Sequence, residues 1–270
     1  MTRARSNQRG FALLIVLWSL VLLSLILTQL LSAGRMETQL AANLRNSAVA
    51  EAVADGAVQE ALFHIVARDG PSAWAPAGTH TIRIGRDAAA VAIQDLSGKV
   101  NPNIAGTPIL SAMFLLCGAS PAGAVNLAHA IAAWRGDAEG SGNELVAAYQ
   151  SAGMGYLPPA APMQTLAELA LIVGMTQSIV DCVAPHMSLY QDAPAGLDSN
   201  DPFVARAARL AEQQGDPVPE TQAAVGSPAV QITATATVTG ARFVRRVTAR
   251  LTPSADGRPF RILQWDTGDD

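Results

Sequence analysis

Residues 1–31 read MTRARSNQRGFALLIVLWSLVLLSLILTQLL, and this stretch decides the fold. Three arginines precede the apolar run, and residues 11–34 contain no charged side chain. A helix from Phe11 to Leu31 would be about 31 Å long, the thickness of one hydrocarbon core. Because the arginines come first, the N-terminus is predicted to stay in the cytoplasm and the rest to lie beyond the membrane. Taken alone, this pattern fits a signal anchor or, less well, a cleaved secretory signal peptide.

The composition of the whole chain is consistent with one anchor and one globular part. The 270 residues are 50% hydrophobic and 15% charged, with a formal net charge of −4. No second apolar stretch is long enough to cross a membrane, which excludes a multi-pass transporter. The basic residues are scattered rather than gathered in a stripe, so no nucleic-acid partner is predicted. Neither a zinc module nor a nucleophile, phosphate-loop or HExxH motif is present, and the chain is predicted not to be an enzyme.

The apolar pattern continues beyond the anchor as an amphipathic helix. Between residues 36 and 65 apolar side chains recur every three to five positions, and polar side chains fill the other face. The first helix-ending signal is Asp69-Gly70-Pro71. One helix over residues 11–67 is therefore predicted, with the segment 11–31 in the membrane.

The start of this helix resembles the type IV pilins and pseudopilins. In that class a short basic leader ends in glycine, a prepilin peptidase cuts behind it, and the new N-terminal residue is methylated. Arg9-Gly10-Phe11 fits this pattern, which implies a leader of residues 1–10, cleavage after Gly10 and methylation of Phe11. Most members carry glutamate at the fifth mature position, which is Ile15 here. An apolar residue at this place is similar to the K-type minor pseudopilin of type II secretion.

Beyond the long helix, the sequence predicts an antiparallel sheet interrupted by helices. Alternating or apolar runs bounded by turn residues predict strands at Thr79–Arg86, Ala90–Leu96, Ala229–Thr239, Arg242–Leu251 and Pro259–Trp265, with later turns at Gly240-Ala241 and Pro253–Gly257. Helical spacing predicts helices at Ile109–Cys117, Pro121–Arg135, Asn143–Ser151, Thr165–Val173, Thr176–Ala184 and Pro202–Gln214.

The predicted fold class is therefore α+β, with a long N-terminal helix packed on an antiparallel sheet that a large α-helical insertion divides. The first part of the sheet domain is assigned to residues 72–107 and the insertion to 108–214. A mobile linker is assigned to 215–228, which is rich in Gly, Pro, Ser and Gln, and the second part of the sheet domain to 229–270.

This split arrangement, and the phrase Asp95-Leu96-Ser97-Gly98-Lys99-Val100-Asn101-Pro102-Asn103-Ile104-Ala105, again resemble the K-type minor pseudopilins. The resemblance implies a subunit of the bacterial inner membrane with a periplasmic globular part. It would initiate or cap the tip of the pseudopilus that exports folded proteins across the outer membrane. The implied partners are the I-type and J-type minor pseudopilins, other pseudopilins, the prepilin peptidase and the inner-membrane secretion platform.

Two other functions remain open from the sequence. A minor type IV pilin for adhesion or uptake would share the leader and the long helix. A signal-anchored periplasmic binding protein would share the anchor but form no filament.

A candidate metal site lies in the insertion. Asp137, Glu139 and Glu144 flank a glycine-rich loop, and calcium prefers carboxylate and carbonyl oxygens from flexible loops of this kind. The resemblance adds that Asp137, Glu144 and Tyr149 fall on positions of a family pattern, with Glu139 in place of an aspartate or shifted by one. The alternative is a solvated acidic loop, and no other cofactor is predicted.

Three further features have a structural and a functional interpretation. Cys117 and Cys182 are predicted to lie beyond the membrane, in a compartment that permits disulfides. They either form a disulfide or remain buried free thiols. Asn200-Asp201-Pro202 reads as a helix start rather than as part of an acidic cluster with Asp192 and Asp198. Residues 165–176 resemble a helix–hairpin–helix turn, but no basic residue lies between Arg135 and Arg206, so a compact structural turn is preferred to a phosphate site.

Overall fold

A computed structural model describes residues 8–67, 73–137, 142–194, 196–215, 228–251 and 259–268 of the chain. The side chains of residues 8–10, 30–35 and 142–145 also fall outside this description. Several predicted features therefore lie outside the described residues: most of the leader, Asp69-Gly70-Pro71, the turn at Pro253–Gly257 and nearly all of the linker at 215–228.

Helix α1 runs without interruption from Gln8 to Val66, as the continuous pattern predicts. Its C-terminal part packs on the sheet through a stripe that begins at Ala50. Most side chains of the stripe are small, so the helix axis lies close to the sheet. The fully buried members of the stripe are Ala50, Ala54, Ala57, Val58, Ala61 and Leu62.

Five strands form one antiparallel sheet in the order β1-β2-β3-β4-β5. They are β1 (Gly78–Ile84), β2 (Asp87–Asp95), β3 (Ala229–Val238), β4 (Ala241–Arg250) and β5 (Arg261–Thr267). Alternate residues such as Val91, Ile232 and Val247 face α1 and are buried, whereas their neighbours face away from it. The predicted α+β class, a long helix on an antiparallel pseudopilin-like sheet, is confirmed.

The connection between β2 and β3 contains the whole helical insertion, although the two strands are direct neighbours in the sheet. Asp95, the last residue of β2, pairs with Val230 of β3. The next amide, that of Leu96, donates to the carbonyl of Ala229 at 2.8 Å. The insertion therefore leaves the sheet and returns to it at one point.

The turn between β3 and β4 differs from the prediction by one residue. The turn residues are Thr239 and Gly240, with φ of 46° and 85°, and Ala241 already belongs to β4. Two successive positive φ angles match the twist of a two-residue hairpin, which explains why the turn settles here. A β-branched side chain is unfavourable at such an angle, so Thr239 carries local strain.

The insertion consists of five α-helices and two short 3₁₀ helices within its described part. The α-helices are α2 (Thr107–Leu116), α3 (Pro121–Trp134), α4 (Gly142–Ser151), α5 (Gln177–Val183) and α6 (Pro202–Gln213). Their core contains Leu110, Phe114, Ile131 and Tyr149, all fully buried. Asp201 accepts from the amides of Phe203 and Val204, so the predicted N-cap of α6 is confirmed.

The helix predicted at Thr165–Val173 is wrong in type and length. Residues Leu166–Leu171 form a 3₁₀ helix, and Ala184–His186 form the other. The Glu168 carboxylate accepts from the backbone of Gln164 and Thr165, and Gly174 reverses the chain with φ of 81°. The cap formed by Glu168 starts the helix and the reversal at Gly174 ends it. The few residues between these two points are too short for an α-helix.

Candidate functional site

The anchor half of α1 has the properties of a membrane-spanning helix. Phe11–Gln29 has a mean hydropathy of 2.7, and none of it is buried within the protein. Two of its hydroxyls bond back to the helix: Ser19 Oγ donates to the carbonyl of Ile15 and Thr28 Oγ1 to that of Ser24, both at 2.8 Å. Such bonds satisfy hydroxyls that would otherwise be unpaired in hydrocarbon. The described residues contain this one candidate span.

The residues of the predicted processing site lie at the start of this helix. Gly10 is in the first turns of α1. The Phe11 side chain is 69% exposed, and the Ile15 side chain is 50% exposed. Cleavage after Gly10 and methylation of Phe11 remain predictions.

One buried arginine joins the helix to the sheet. Arg245 of β4 faces α1, where its Nε donates to Asp55 Oδ1 at 2.5 Å and a terminal nitrogen donates to Glu51 Oε1 at 2.8 Å. Its guanidinium also lies 4.9 Å from the ring centre of Phe243 and 5.4 Å from that of Trp265. Burial acts to lower the pKa of Arg245, but Asp55 and Glu51 outweigh it, and the net pKa is raised. We call these three charged residues the Arg245 clamp.

The phrase that begins at Asp95 forms the junction between sheet and insertion. Asp95 Oδ1 accepts from the amide and hydroxyl of Ser97, which turns the chain out of β2. Gly98 then passes so close to the start of α6 that a Cβ would lie 2.7 Å from the Asp201 nitrogen. Only glycine fits at this crossing, which accounts for the glycine of the phrase.

The two asparagines of the phrase hold the insertion from inside. Asn101 Nδ2 donates to the carbonyls of Leu189 and Gln191, at 3.2 and 2.6 Å. Asn103 makes a two-way bond with the backbone of Met163, because its amide donates to that carbonyl and its Oδ1 accepts from that nitrogen. Each asparagine side chain therefore links the phrase to a distant segment by hydrogen bonds to the backbone of that segment.

The segment 187–192 bonds to the sheet on the other side of the junction. Arg250 of β4 donates to the Tyr190 carbonyl at 2.7 Å and forms an ion pair with Asp192 at 3.3 Å. The Tyr190 hydroxyl donates to the side chain of Gln264 in β5. Strands β2, β4 and β5 thus all contribute to fixing the insertion.

Charged groups near the junction are also partly buried. His186 Nδ1 lies 2.7 Å from Asp201 Oδ2, and its ring stacks on Phe203. Lys99 of the phrase is beside them; burial lowers its pKa, and the charge of Asp201 opposes that change. The partial burial of these charged groups follows from the packing of α6 on the phrase.

The predicted calcium residues are only partly visible. Asp137 forms a 2.7 Å ion pair with Arg135, whose other nitrogen donates to the carbonyls of Pro102 and Ala105. Glu139 and the side chain of Glu144 lie outside the described residues. Asp137 alone, with a guanidinium beside it, does not make a calcium site, and no group of three metal-binding side chains occurs in the described part. Calcium binding remains a prediction that depends on Glu139 and Glu144.

Cys117 and Cys182 are joined by a disulfide in the structure. Cys117 follows α2 and Cys182 lies in α5, so the bond links two helices that share the insertion core. It closes a loop with a sequence separation of 65 residues. Residues 165–176 form a compact turn between helices with Gly174 packed near Leu127, as the structural interpretation expects.

The Arg245 clamp and the bonds of segment 187–192 are among the contacts that were not predicted from the sequence. A signal for the first exists, because Arg245 occupies a core-facing position of β4 and a buried charge needs a partner. Glu51 and Asp55 lie four residues apart on the long helix, and this acidic pair could have been proposed as the partner of Arg245.

Comparison with known proteins agrees with this architecture. Residues 90–192 match the family model described as "Type II secretion system (T2SS), protein K". That segment begins in β2, includes the whole Asp95–Ala105 phrase and ends at Asp192 of the junction. No curated protein matches the sequence.

Among solved structures, the fold is similar to a chain of the GspK-GspI-GspJ complex from the type 2 secretion system of enterotoxigenic Escherichia coli. The TM-score is 0.51 at 13% identity, and the match covers 88% of this chain and 99% of that one. The fold is therefore shared over nearly the whole of both chains. The resemblance to the K-type minor pseudopilins of type II secretion is thus confirmed, by the family match through the junction and by the shared fold.

Proposed function

We propose that this protein is the tip subunit of a type II secretion pseudopilus, where it initiates or caps the filament. The observation that carries the proposal is the division of α1 into two parts. From Val49 onward one face of the helix packs against its own sheet, whereas the described large apolar side chains before Val49 are exposed. A helix with this much uncovered apolar surface requires other helices or lipid beside it.

The partners proposed for this helix are the I-type and J-type minor pseudopilins. The solved complex to which the fold is similar contains GspK, GspI and GspJ. We extend the same assembly to this chain, together with other pseudopilins and the inner-membrane secretion platform. The anchor would lie in the bacterial inner membrane with its N-terminus in the cytoplasm, and the sheet and insertion would lie in the periplasm.

A position at the tip is supported by Ile15 and by the insertion. In pilin-like proteins the carboxylate at the fifth mature position pairs with the terminal amine of a neighbouring subunit, and Ile15 offers no such group. The described part of the insertion adds five α-helices at the end of the sheet, held by the junction residues, and would obstruct a subunit placed above it. The proposed role is therefore structural and not catalytic.

Processing provides the first test. The membrane-bound protein is expected to begin at Phe11, with a methylated terminus, in cells with an active prepilin peptidase, and at Met1 or Thr2 in cells without it. A Gly10→Val variant should stay uncut, and a Gln8→Ala variant, altered two residues away, should be cut normally. Intact leader in peptidase-positive cells would contradict the pilin-like role.

Position in the filament provides the second test. Overproduction of the protein relative to the other pseudopilins should shorten filaments, because each copy ends one of them. Gold-labelled antibody against the insertion should mark filament ends. Labelling distributed along the filament would contradict the tip assignment, and filaments that bind host surfaces without supporting secretion would favour the adhesive type IV pilin.

A further inference from the structure

The insertion presents a proline-rich loop on its surface. Residues Tyr156-Leu157-Pro158-Pro159-Ala160 lie in the connection between α4 and the 3₁₀ helix at Leu166–Leu171. Tyr156 is 39% exposed, Leu157 is 50% exposed, and Pro159 and Ala160 are also exposed. In the described chain, no hydrogen bond joins the backbone of residues 157–160 to another protein group. We call residues 156–160 the proline loop.

The proline loop is held firmly at both ends. At its start, Tyr156 Oη donates to the carbonyl of Leu171 at 2.9 Å. The Tyr156 ring also packs edge-on against the fully buried Tyr149, with ring centroids 5.9 Å apart. Just after the loop, the Ala161 amide donates to the Trp134 carbonyl at 3.1 Å. The uncovered stretch is therefore presented on a fixed frame, which lowers the entropy that a binding partner would have to remove.

Two successive prolines restrict the backbone of the loop to an extended form. A proline ring holds φ near −65°, and the residue before a proline is restricted to extended ψ values, so Pro158 is restricted in both angles. The peptide bonds that precede the two prolines are trans, and residues 156–159 form neither helix nor strand. These restrictions select the polyproline II conformation, which has three residues per turn and no internal hydrogen bonds. Leu157–Pro159 make about one such turn.

Ala160 ends the extended stretch in a strained conformation. Its φ is 50°, in the left-handed region that a residue with a Cβ rarely adopts. Gly136 makes this return possible, because a Cβ on Gly136 would lie 3.0 Å from the Ala160 oxygen. Strained backbone of this kind persists only where the surrounding structure imposes it, and it clusters at sites that bind ligands. The fold thus maintains the shape of the loop against the local preference of Ala160.

The exposed chemistry of the loop matches a groove lined with aromatic side chains. Such grooves recognise polyproline segments, because the proline rings pack against flat aromatic faces. The carbonyls of Leu157 and Pro158 make no bond within the protein and can accept hydrogen bonds from a partner. Tryptophan and tyrosine supply both contacts, since each combines an apolar ring with one N–H or O–H donor.

The charges around the loop define the edge of a complementary groove. No lysine or arginine occurs between Arg135 and Arg206, and Arg135 is itself paired with Asp137 at 2.7 Å. Glu168 lies at the frame of the loop, because Trp134, whose carbonyl binds the loop, also donates from Nε1 to Glu168 Oε2 at 3.1 Å. Basic residues at the edge of the groove would therefore complement this surface, and acidic residues would be repelled.

We propose that the proline loop is a docking element for a partner protein. The partner receives Leu157, Pro158 and Pro159 in a groove that is lined with tryptophan or tyrosine and edged with basic residues. This proposal goes beyond the proposed function, because it assigns a binding surface to the insertion and does not depend on where the protein sits in a filament.

Photo-crosslinking from the loop tests the proposal. The full chain, in the membrane of its host, carries p-benzoylphenylalanine in place of Leu157 or, as a control, in place of Val125. Val125 is 45% exposed, which is close to the 50% of Leu157, but it lies on α3 about 13 Å along the helix from Trp134. Mass spectrometry identifies the crosslinked proteins and the peptides that are joined.

Proline variants test whether the shape of the loop matters. The Leu157 probe is combined with Pro158→Ala and Pro159→Ala together, which restores backbone freedom to the loop. In the matched control it is combined with Pro121→Ala, since Pro121 is an exposed proline at the start of α3. Thermal unfolding checks that each variant is folded, and Pro159→Ala alone replaces the double variant if that variant is not.

The expected result is that Leu157 captures one partner protein at a surface with tryptophan or tyrosine beside lysine or arginine, and that Val125 does not capture it. The double proline variant should reduce the yield about fivefold or more, whereas Pro121→Ala leaves it unchanged. The proposal is overturned if Leu157 captures no partner, only lipid or only a second copy of this chain. Equal capture from Val125, a joined surface without aromatic side chains, or a yield that does not respond to the loop prolines would also overturn it.

Discussion

The Arg245 clamp predicts a large difference between two adjacent arginines of one strand. Arg245 points to α1 with its side chain 9% exposed, and Arg246 points to the opposite face and is exposed. In the Arg245→Met variant Glu51 and Asp55 lose their partner, although both carboxylates can still reach water because they are 51% and 35% exposed. This hydration reduces the cost below the 3–5 kcal/mol typical of a fully buried pair, to about 2 kcal/mol.

The expected loss of about 2 kcal/mol in the free energy of unfolding corresponds to a measurable fall in melting temperature. For a chain of this length about 1 kcal/mol corresponds to roughly 2–4 °C, so Arg245→Met should lower the melting temperature by about 4–8 °C. Arg246→Met should change it by less than about 2 °C, because exposed substitutions away from special features change the stability little. Thermal unfolding of the detergent-solubilised full chain, followed by near-UV circular dichroism, measures both variants.

A double-mutant cycle identifies the cause of the loss. Asp55→Asn in the Arg245→Met background should cost less than Asp55→Asn alone, with a coupling energy of about 1 kcal/mol or more. Equal destabilisation by Arg245→Met and Arg246→Met, or additive effects of Arg245→Met and Asp55→Asn, would refute the idea that the clamp holds the helix to the sheet.

Other predictions concern the insertion and one turn. Replacing Cys117 and Cys182 together by serine should cost about 4 kcal/mol, given the 65-residue separation, and denaturant unfolding should show this; a loss below about 1 kcal/mol would contradict it. Thr239→Asn should raise the stability by about 0.5–1 kcal/mol, because asparagine tolerates positive φ, and an unchanged denaturation midpoint would count against strain there. If the acidic loop binds calcium, calcium should raise the melting temperature relative to chelator and Asp137→Asn should remove the increase; equal temperatures would exclude the site. Burial acts to raise the pKa of Glu168, but hydrogen bonds from Thr165, Gln164 and Trp134 outweigh it, and the net pKa is below 4.5. The stability that Glu168 provides over Glu168→Gln should therefore be complete above pH 4.5 and disappear as the pH falls through the lowered value, whereas a gap that is constant with pH would disprove the role of its charge.

The helices and strands could be predicted because their signals are local. The uncharged run from Phe11 and the spacing that follows it define α1, and alternation in stretches such as Ala229–Thr239 defines a strand that the structure ends at Val238. These patterns depend on which face of an element is buried, and a single chain shows that directly. The short 3₁₀ helix at Leu166–Leu171 was predicted as a longer helix because its apolar spacing is like that of an α-helix.

The contacts of the candidate sites were harder to predict because they are distant in sequence. Asn101 bonds to Gln191, and Arg245 bonds to Asp55, across 90 and 190 residues. A sequence shows that such residues need partners but not which partners the fold supplies. The phrase at Asp95–Ala105 could therefore be recognised as a unit, whereas its role in holding the insertion required the structure.

The single point at which the insertion leaves and rejoins the sheet has a consequence for folding order. Strands β2 and β3 are joined by a connection of about 130 residues, and closing so long a loop in a disordered chain is slow and entropically costly. Once the insertion has folded around its own core and disulfide, however, its two ends lie one hydrogen bond apart. The remaining chain then pairs with β2 as though it followed a short hairpin turn. We therefore expect the insertion to fold before the sheet is completed, and the last three strands to pair with β2 after it.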